Sequence, residues 1–349
     1  MAVGRKPSRR RYSSGDEALD AKIAELVEAA GVSNDIDLLT EMLASCFRVA
    51  RDRSHRGEMK LVNAALKEFA YAFKVFREYQ GIRKVSVFGS SRSTPEDPDY
   101  QCARRFAAAM VEGGWMVITG AGPGIMQAGH QGAGAERSFG ANIRLPMEVE
   151  PNVVIEGDPK LINFKYFFTR KVTFLKESDA FALFPGGFGT MDETFELLTL
   201  MQTGKSDLHP VVLLEAEGGR YWEDWRRLIN EHLIRPGLIS SEDLDLVHIT
   251  DSIESAVAEI ESFYRNYHSQ RYVDGVLVLR LQRLPDERSL ARISEEFADI
   301  LRSGTLRAVE PSQEEIREGD FPELSRLALD FKQRSYGRLR RLIDALNEF

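Results

Sequence analysis

The sequence has little of what marks a secreted, disulfide-linked or membrane-spanning protein. Its 349 residues include two cysteines, Cys46 and Cys102, too few for a disulfide framework or a cysteine-based zinc site. No apolar run approaches the length that spans a bilayer, and the first residues lack the apolar segment of a signal peptide. We therefore predict a soluble cytoplasmic protein without a membrane partner.

Histidine spacing and net charge exclude two further classes. The histidines show no metal-ligand spacing, so we expect no metal site; they are His55, His130, His209, His232, His248 and His268. The formal net charge of −8 argues against a nucleic-acid partner. A basic run from Arg5 to Arg11 could contact nucleic acid, but a solvated disordered arm is the commoner state of one short tail.

The middle of the chain, residues 83–268, alternates short β-branched or apolar runs with helical stretches. This alternation predicts the α/β class, a Rossmann-like doubly wound parallel sheet with helices on both faces. The expected strands are VSVF (85–88), MVIT (116–119), ANIRL (141–145), AFALF (180–184), VVLL (211–214) and LVHIT (246–250).

The flanking segments have different patterns. Residues 1–82 predict the basic tail and a helical extension, with helices over 16–30, 34–50 and 58–80, the second capped by Ser33 or Asn34. Residues 269–349 predict a small C-terminal α+β or helical appendage. Its expected elements are a strand over 273–281, a helix over 287–301, a loop over 310–322 and a final basic helix.

Three glycine-rich segments follow expected strands. They are Gly89-Ser90-Ser91-Arg92, the segment from Gly120 to Gly124, and the segment from Pro185 to Thr190. Ligands of parallel α/β folds lie at the carboxyl ends of strands, so we expect the three loops to share one edge. Glycine lets backbone N–H groups approach an anion closely, and a helix starting near Thr190 adds its positive end.

The type of anion can be narrowed. Gly120, Gly122 and Gly124 give G-x-G-x-G rather than the dinucleotide fingerprint, and the next strand ends in Arg144-Leu145-Pro146 without a carboxylate for a ribose diol. The Walker lysine pattern is also absent. We therefore predict a site for a smaller phosphate ester, with no nicotinamide or other cofactor.

Glu193 allows two interpretations. Thr190-x-x-Glu193 matches a capping box, in which the glutamate bonds the backbone N–H of the cap residue. Alternatively, the carboxylate lies beneath a sugar that develops positive charge when its base departs, beside donors that bind the sugar phosphate. The preceding glycines favour this second role, because a helix cap alone does not need them.

With these motifs in view, the middle of the chain resembles the LOG family of cytokinin riboside 5′-monophosphate phosphoribohydrolases, many of which have been labelled lysine decarboxylases. The motifs are VFGSSR (87–92), GAGPGIM (120–126), FFTRK (167–171) and SDAFALFPGGFGTMDE (178–193), with TFELLTLMQTGK after them. The resemblance covers about residues 83–266. The added terminal segments resemble a longer bacterial branch of the family.

The resemblance assigns roles to particular residues. It implies that Arg170 and Glu193 are the catalytic pair, with the guanidinium binding phosphate or stabilising the leaving base, because it is a poor proton donor. It implies a phosphate loop of Gly186, Gly187, Gly189 and Thr190. The further candidates for substrate binding are Gly89, Ser90, Gly120, Gly122, Gly124, Met126, Lys171 and Glu196, the last being equally well explained as a solvated helix residue.

The leading hypothesis is hydrolysis of a purine nucleoside 5′-monophosphate, AMP or a cytokinin nucleotide, to free base and ribose 5-phosphate. The alternative is a nucleotide or molybdenum-cofactor carrier on the same fold, which does not require the Arg170 and Glu193 pair. A third hypothesis, an assembly protein, leaves the glycine loops unexplained. Lysine decarboxylation would need a lysine that carries a cofactor, and no lysine near Lys171 has that setting. We expect a homodimer or a higher homo-oligomer.

Overall fold

The computed structural model describes residues 12–52, 55–144 and 150–349. They form two compact units, divided between Phe69 and Ala70. The basic run from Arg5 to Arg11 lies outside the described residues, as do Leu145 and Pro146 at the end of an expected strand. Within the described ranges, every helix is too short or too polar to cross a lipid bilayer.

The first unit is helical. Its helices are α1 (Glu17–Ala29), α2 (Ile36–Arg51) and the first part of α3 (Arg56–Phe76). Buried side chains that include Ile23 and Ala44 form a small core between α1 and α2. The cap of α2 is Asp35, with a left-handed backbone (φ 54°) and no capping bond from its side chain. The predicted cap at Ser33 or Asn34 is therefore wrong.

The second unit is built on a sheet of seven parallel strands. They are β1 (Lys84–Phe88), β2 (Met116–Thr119), β3 (Ser138–Ile143), β4 (Leu161–Phe164), β5 (Ala180–Leu183), β6 (Val211–Leu214) and β7 (His248–Thr250). Their order is β4-β3-β2-β1-β5-β6-β7. The chain progresses outward from β1 to β4, then returns to the centre at β5, so the direction of progress reverses between β1 and β5. This is the predicted doubly wound, Rossmann-like fold.

Helices cover both faces of this sheet, as its β-branched and apolar strands require. They are α4 (Pro98–Glu112), α5 (Ile125–Ala133), α6 (Phe167–Glu177), α7 (Phe188–Gln202), α8 (Tyr221–Ile229) and α9 (Ile253–Phe263). One face packs against α4, α5 and α9. The other packs against α6, α7, α8 and the last turns of α3.

The observed strands differ from the expected ones at β3, at β4 and at β7, where the strand expected over 246–250 begins at His248. The strand expected over 141–145 begins earlier, at Ser138. The strand β4 was not predicted, because its four residues alternate between buried and exposed positions at the sheet edge and give a weak apolar signal.

The C-terminal segment forms a second, antiparallel sheet in the order β10-β11-β9-β8. Its strands are β8 (Tyr267–Val273), β9 (Val276–Leu281), β10 (Leu301–Ala308) and β11 (Ser325–Phe331). Its helices are α10 (Glu287–Glu296), α11 (Gln313–Glu318) and α12 (Tyr336–Leu346). Apolar side chains of this sheet share a core with α7 and α8. The predicted domain boundaries, 82/83 and 268/269, stay predictions.

Three local expectations for this segment need correction. The strand expected over 273–281 begins only at Val276, because Asp274 and Gly275 both have positive φ (51° and 86°) and form the two-residue turn of a hairpin between β8 and β9. The helix expected over 287–301 ends at Glu296, and Leu301 begins β10. The loop expected over 310–322 contains α11, and β11 follows it unpredicted.

Candidate active site

The three glycine-rich loops meet where the order of the central strands reverses. They follow β1, β2 and β5, and Ser90 bonds to the third loop and to the residue that directly follows the second. Its N–H donates to the carbonyl of Pro185 at 3.0 Å, and its own carbonyl accepts from the N–H of Ile125 at 2.9 Å. The sequence prediction that the loops share one edge is therefore confirmed by direct backbone bonds.

A cleft of about 810 Å³ opens at this edge. Ten of the predicted site residues line it: Gly89, Ser90, Gly120, Met126, Arg170, Gly186, Gly187, Gly189, Thr190 and Glu193. The structure does not bring the other four, Gly122, Gly124, Lys171 and Glu196, to the cleft wall. The cleft also has lining residues that the sequence analysis did not name as candidates for substrate binding: Phe88, Ser91, Arg92, Phe188 and Met191.

The start of α7 supplies hydrogen-bond donors to the cleft. The helix begins at Phe188 with Gly187 as its cap, and no side chain accepts from its first turn. Among the described residues, the backbone N–H groups from Gly187 to Thr190 have no acceptor. Such orphan donors, together with the positive end of the helix dipole, form an anion site. The wall where they lie is therefore suited to a phosphate.

Close packing explains Gly186 in this loop. A Cβ at Gly186 would lie 2.1 Å from the Thr190 hydroxyl oxygen, so only glycine allows this threonine to pack under the loop. Phe188, by contrast, is 97% exposed at the cleft wall. The capping-box interpretation of Glu193 is not what the structure has, because Thr190 lies inside the helix rather than at its cap.

The glycines of the second loop make room for neighbouring groups. A Cβ at Gly120 would lie 2.8 Å from the Met126 sulfur, and one at Gly122 would lie 2.7 Å from the Met126 methyl carbon. Gly124 has a positive φ of 69°, and a Cβ there would lie 2.2 Å from the Ser90 carbonyl oxygen. Gly122 and Gly124 thus shape the loop behind the cleft.

A buried polar network supports the second glycine-rich loop, Gly120 to Gly124, on the side away from the cleft. The side-chain amide of Asn152 donates to the carbonyls of Ala121 (3.1 Å) and Gly122 (3.0 Å). His130 contacts Asn152 and the Thr119 hydroxyl, and its Nε2 lies 3.0 Å from the Phe139 carbonyl oxygen. Burial lowers the pKa of His130, so the ring is neutral and supports the loop.

Arg170 of α6 and Glu193 of α7 approach each other at the cleft. Their side chains are only 13% and 11% exposed, with Arg170 Nη2 3.7 Å from Glu193 Oε1. Burial lowers the pKa of Arg170 and raises that of Glu193, although the opposite charges partly offset both shifts. The buried Nε of Arg170 has no hydrogen-bond partner among the described residues. The pair therefore lies in a largely desolvated setting at the cleft.

Lys171 lies beside this pair but contacts carboxylates. Its Nζ is 2.6 Å from Glu196, 2.8 Å from Asp192 and 3.2 Å from Glu193. Burial opposes its charge, but hydrogen bonds with Asp192 and Glu196 raise the pKa of Lys171 to about 12. The ammonium group therefore holds Glu193 in place from outside the cleft lining, and Glu196 is part of this arrangement.

The side chains that sequence reasoning missed had only weak signals. Arg92 ends the quoted VFGSSR motif, and Phe188 lies between Gly187 and Gly189 in the predicted phosphate loop. In the sequence, Met191 and Phe88 have the pattern of ordinary apolar residues of a helix and a strand, respectively, and nothing in it indicates a site. Within the described ranges, no group of histidine, cysteine, aspartate or glutamate side chains could hold a metal ion.

Fold and site together define an α/β protein with a cleft at the strand-order reversal, lined by unpartnered backbone N–H groups at the start of α7. The family model described as "Possible lysine decarboxylase" matches residues 123–260. A probable cytokinin riboside 5′-monophosphate phosphoribohydrolase of Oryza sativa subsp. japonica is 26% identical over 228 residues, covering 58% of this chain and 89% of the relative. The chain is therefore similar, at modest identity, to phosphoribohydrolases of the LOG family.

Other similarities are more limited in extent. A cytokinin riboside 5′-monophosphate phosphoribohydrolase of Arabidopsis thaliana is 34% identical over 94 residues, which span 27% of this chain and 42% of that protein. The molybdenum cofactor binding protein of Rippkaea orientalis is similar in structure, with a TM-score of 0.38 and 20% identity over 52% of this chain and 96% of that one. A likeness at this level carries no information about a shared ligand.

Proposed function

We propose that the protein hydrolyses the N-glycosidic bond of a purine nucleoside 5′-monophosphate, AMP or a cytokinin riboside 5′-monophosphate. The products are the free base and ribose 5-phosphate. One observation carries the proposal: a cleft wall of unpartnered N–H donors and a buried carboxylate of raised pKa face the same space. A ligand with an anion at one end and a developing cation at the other matches both groups.

The phosphate occupies the donor wall of the cleft. The N–H groups from Gly187 to Thr190 lie at the positive end of α7, and each can donate a charge-assisted hydrogen bond to a phosphate oxygen. Anchoring the phosphate fixes the ribose, and the glycosidic bond then lies in the cleft near Glu193.

The Glu193 carboxylate acts on the sugar. As the C1′–N bond breaks, its electron pair goes to the base and positive charge develops on C1′ and the ring oxygen. The carboxylate stabilises this charge and orients the attacking water. The water oxygen bonds to C1′, and one water proton ends on the base. Arg170, which stays protonated, supports the phosphate or the leaving base by its charge.

Two other activities fit this cleft less well. A carrier protein needs donors for its ligand but has no use for a buried carboxylate beside an arginine. A lysine decarboxylase would need an accessible lysine in the cleft, yet among the described lining residues there is none. Lys171, the nearest candidate, is held protonated by three carboxylates.

The test is release of free base, separated by chromatography, from AMP and from N6-isopentenyladenosine monophosphate. The assay contains EDTA and no nicotinamide cofactor, because the reaction needs only water. Adenosine is the matched control: without its phosphate it loses several charge-assisted hydrogen bonds of about 1.5–3 kcal/mol each, so turnover should fall at least about 100-fold. Equal rates for AMP and adenosine would refute the phosphate site, and tight AMP binding without base release would favour a carrier.

A further inference from the structure

The phosphate loop is bonded to a residue outside the cleft lining. Tyr221, the first residue of α8, donates a hydrogen bond from its hydroxyl to the carbonyl oxygen of Gly186 at 2.5 Å. A phenol can donate only while protonated, and burial raises the pKa of Tyr221 above its ordinary value. The bond therefore persists throughout the neutral range.

Tyr221 is itself held rigidly. The buried carboxylate of Glu215, just after β6, accepts from the N–H groups of Tyr221 (2.8 Å) and Trp222 (3.1 Å). The Trp222 indole donates to the carbonyl of Leu214 at 3.2 Å. A Cβ at Gly219 would lie 2.4 Å from a Glu215 carboxylate oxygen, so glycine there leaves space for this cap. The start of α8 is thus fixed to the end of β6, next to β5 in the sheet.

This bond determines where the next N–H group points. In a trans peptide the C=O and the following N–H point in opposite directions, and the described chain has no cis peptide bond. Drawing the Gly186 carbonyl toward Tyr221 turns the N–H of Gly187 the other way. Gly187 lines the cleft, and its N–H has no acceptor among the described residues. Glycine alone sets little preference for this orientation.

We propose that Tyr221 is a positioning residue for the phosphate loop. Its hydroxyl holds the Gly186–Gly187 peptide in the orientation that presents the Gly187 N–H to a phosphate. The inference rests on the proposed function only in taking the ligand to be a sugar phosphate, and it concerns binding rather than bond cleavage. It can therefore fail or succeed independently of hydrolysis.

The experiment compares Tyr221→Phe with wild type, using ribose 5-phosphate as the probe in titration calorimetry. Removing the hydroxyl frees the peptide to rotate and weakens one oriented hydrogen bond, so ribose 5-phosphate affinity should fall about tenfold. The KM for AMP should rise by a similar factor. Inhibition by adenine, which has no phosphate, should not change.

The matched control is Tyr264→Phe. Tyr264 also donates its hydroxyl to a backbone carbonyl, that of Asp179 at 2.6 Å, but Asp179 precedes β5 and lies at the opposite edge of the sheet from the cleft. The control should lose comparable stability and keep wild-type affinity for ribose 5-phosphate.

Four results would overturn the inference. They are unchanged ribose 5-phosphate affinity in Tyr221→Phe, an equal loss in the control, no ribose 5-phosphate binding by wild type, or an equal loss of adenine binding, which would indicate general loosening of the site. Wild-type binding of ribose 5-phosphate without base release from AMP would refute hydrolysis alone, and the tenfold difference would still support the role of Tyr221.

Discussion

Two charged clusters in the second unit shift the pKa values of their central glutamates in opposite directions. In the cleft cluster (Arg170, Lys171, Asp192, Glu193 and Glu196), Glu193 shares its cations with two other carboxylates. In the sheet cluster (Arg271, Arg280, Glu315, Asp320 and Arg326), Glu315 is 1% exposed and lies 2.8 Å from Arg280 and 3.3 Å from Arg326. Both are buried carboxylates, yet their pKa shifts have opposite signs.

The difference follows from what surrounds each carboxylate. Burial opposes the charge of Glu315, but hydrogen bonds from the Ser312 N–H, from Arg280 and from the Ser312 hydroxyl lower its pKa to about 2. For Glu193, burial is the largest effect and raises its pKa, the attraction of Lys171 and Arg170 being insufficient to reverse it. One cluster is arranged to stabilise an ionised glutamate, whereas the other keeps a carboxylate at a cost in stability.

The largest expected effect is on the sheet cluster. Glu315→Gln leaves Arg280 and Arg326 buried without their shared carboxylate, so the free energy of unfolding should fall by about 3–5 kcal/mol. Urea denaturation measures the loss, and the exposed neighbour Glu314→Gln should stay within about 0.5 kcal/mol of wild type. A loss below about 1 kcal/mol would mean that Glu315 does not stabilise the sheet.

The second-largest expected effect is a loss of turnover when the cleft cluster is changed. Glu193→Gln removes the charge opposite the developing sugar cation, and base release from AMP should fall about 100-fold or more in a folded protein. Asp192→Asn is the matched control, since Asp192 is next in the chain and pairs with Lys171 but does not line the cleft. Its turnover should remain near that of wild type. Near-normal turnover in Glu193→Gln would refute the catalytic role.

The third prediction concerns the pH profile of kcat/KM for AMP. Activity needs the Glu193 carboxylate, so it should fall with acid at a pH above the ordinary glutamate value of 4.5. Lys171→Met removes an opposite charge, and the acidic limb should move up by about one pH unit or more. Lys176→Met, on the same helix with Glu177 as its partner, should leave the limb in place. An unmoved limb in Lys171→Met would show that this ammonium does not control the ionisation of Glu193.

The two clusters also differ in how much of each could be predicted from the sequence. The strands that carry the glycine loops were predicted within a residue at each end, because apolar runs and glycines mark them strongly. Arg170 and Glu193 came together as the family resemblance implied. The pairing of Lys171 with three carboxylates was not foreseen, because it depends on the packing of α6 against α7 rather than on spacing within either helix.

The sheet cluster was missed for a similar reason. Its arginines lie on β8, β9 and β11 and its glutamate on α11, and the sequence analysis treated most of this segment as helix or loop. Two local signals were present: the Asp274-Gly275 turn and the capping box from Ser312 to Glu315. They predict local turns, whereas the pairing of strands distant in sequence depends on tertiary contacts.

The smallest expected effect tests the cost of keeping Glu193 charged. A carboxyl group whose folded pKa is raised adds stability below its unfolded pKa and loses that contribution as pH rises through the folded value. At neutral pH, Glu193→Gln should therefore be slightly more stable than wild type in urea. The gain should shrink as pH falls, because wild-type Glu193 then becomes neutral too.

The Glu315 carboxylate contributes to stability with the opposite pH dependence. Its stabilising contribution is present above pH 4.5 and is lost as pH falls toward about 2. The opposite result is a Glu193→Gln protein that is less stable than wild type at neutral pH, with a difference that becomes smaller in acid. It would mean that the cleft cluster stabilises the fold as the sheet cluster does. The contrast between the two clusters would then be wrong.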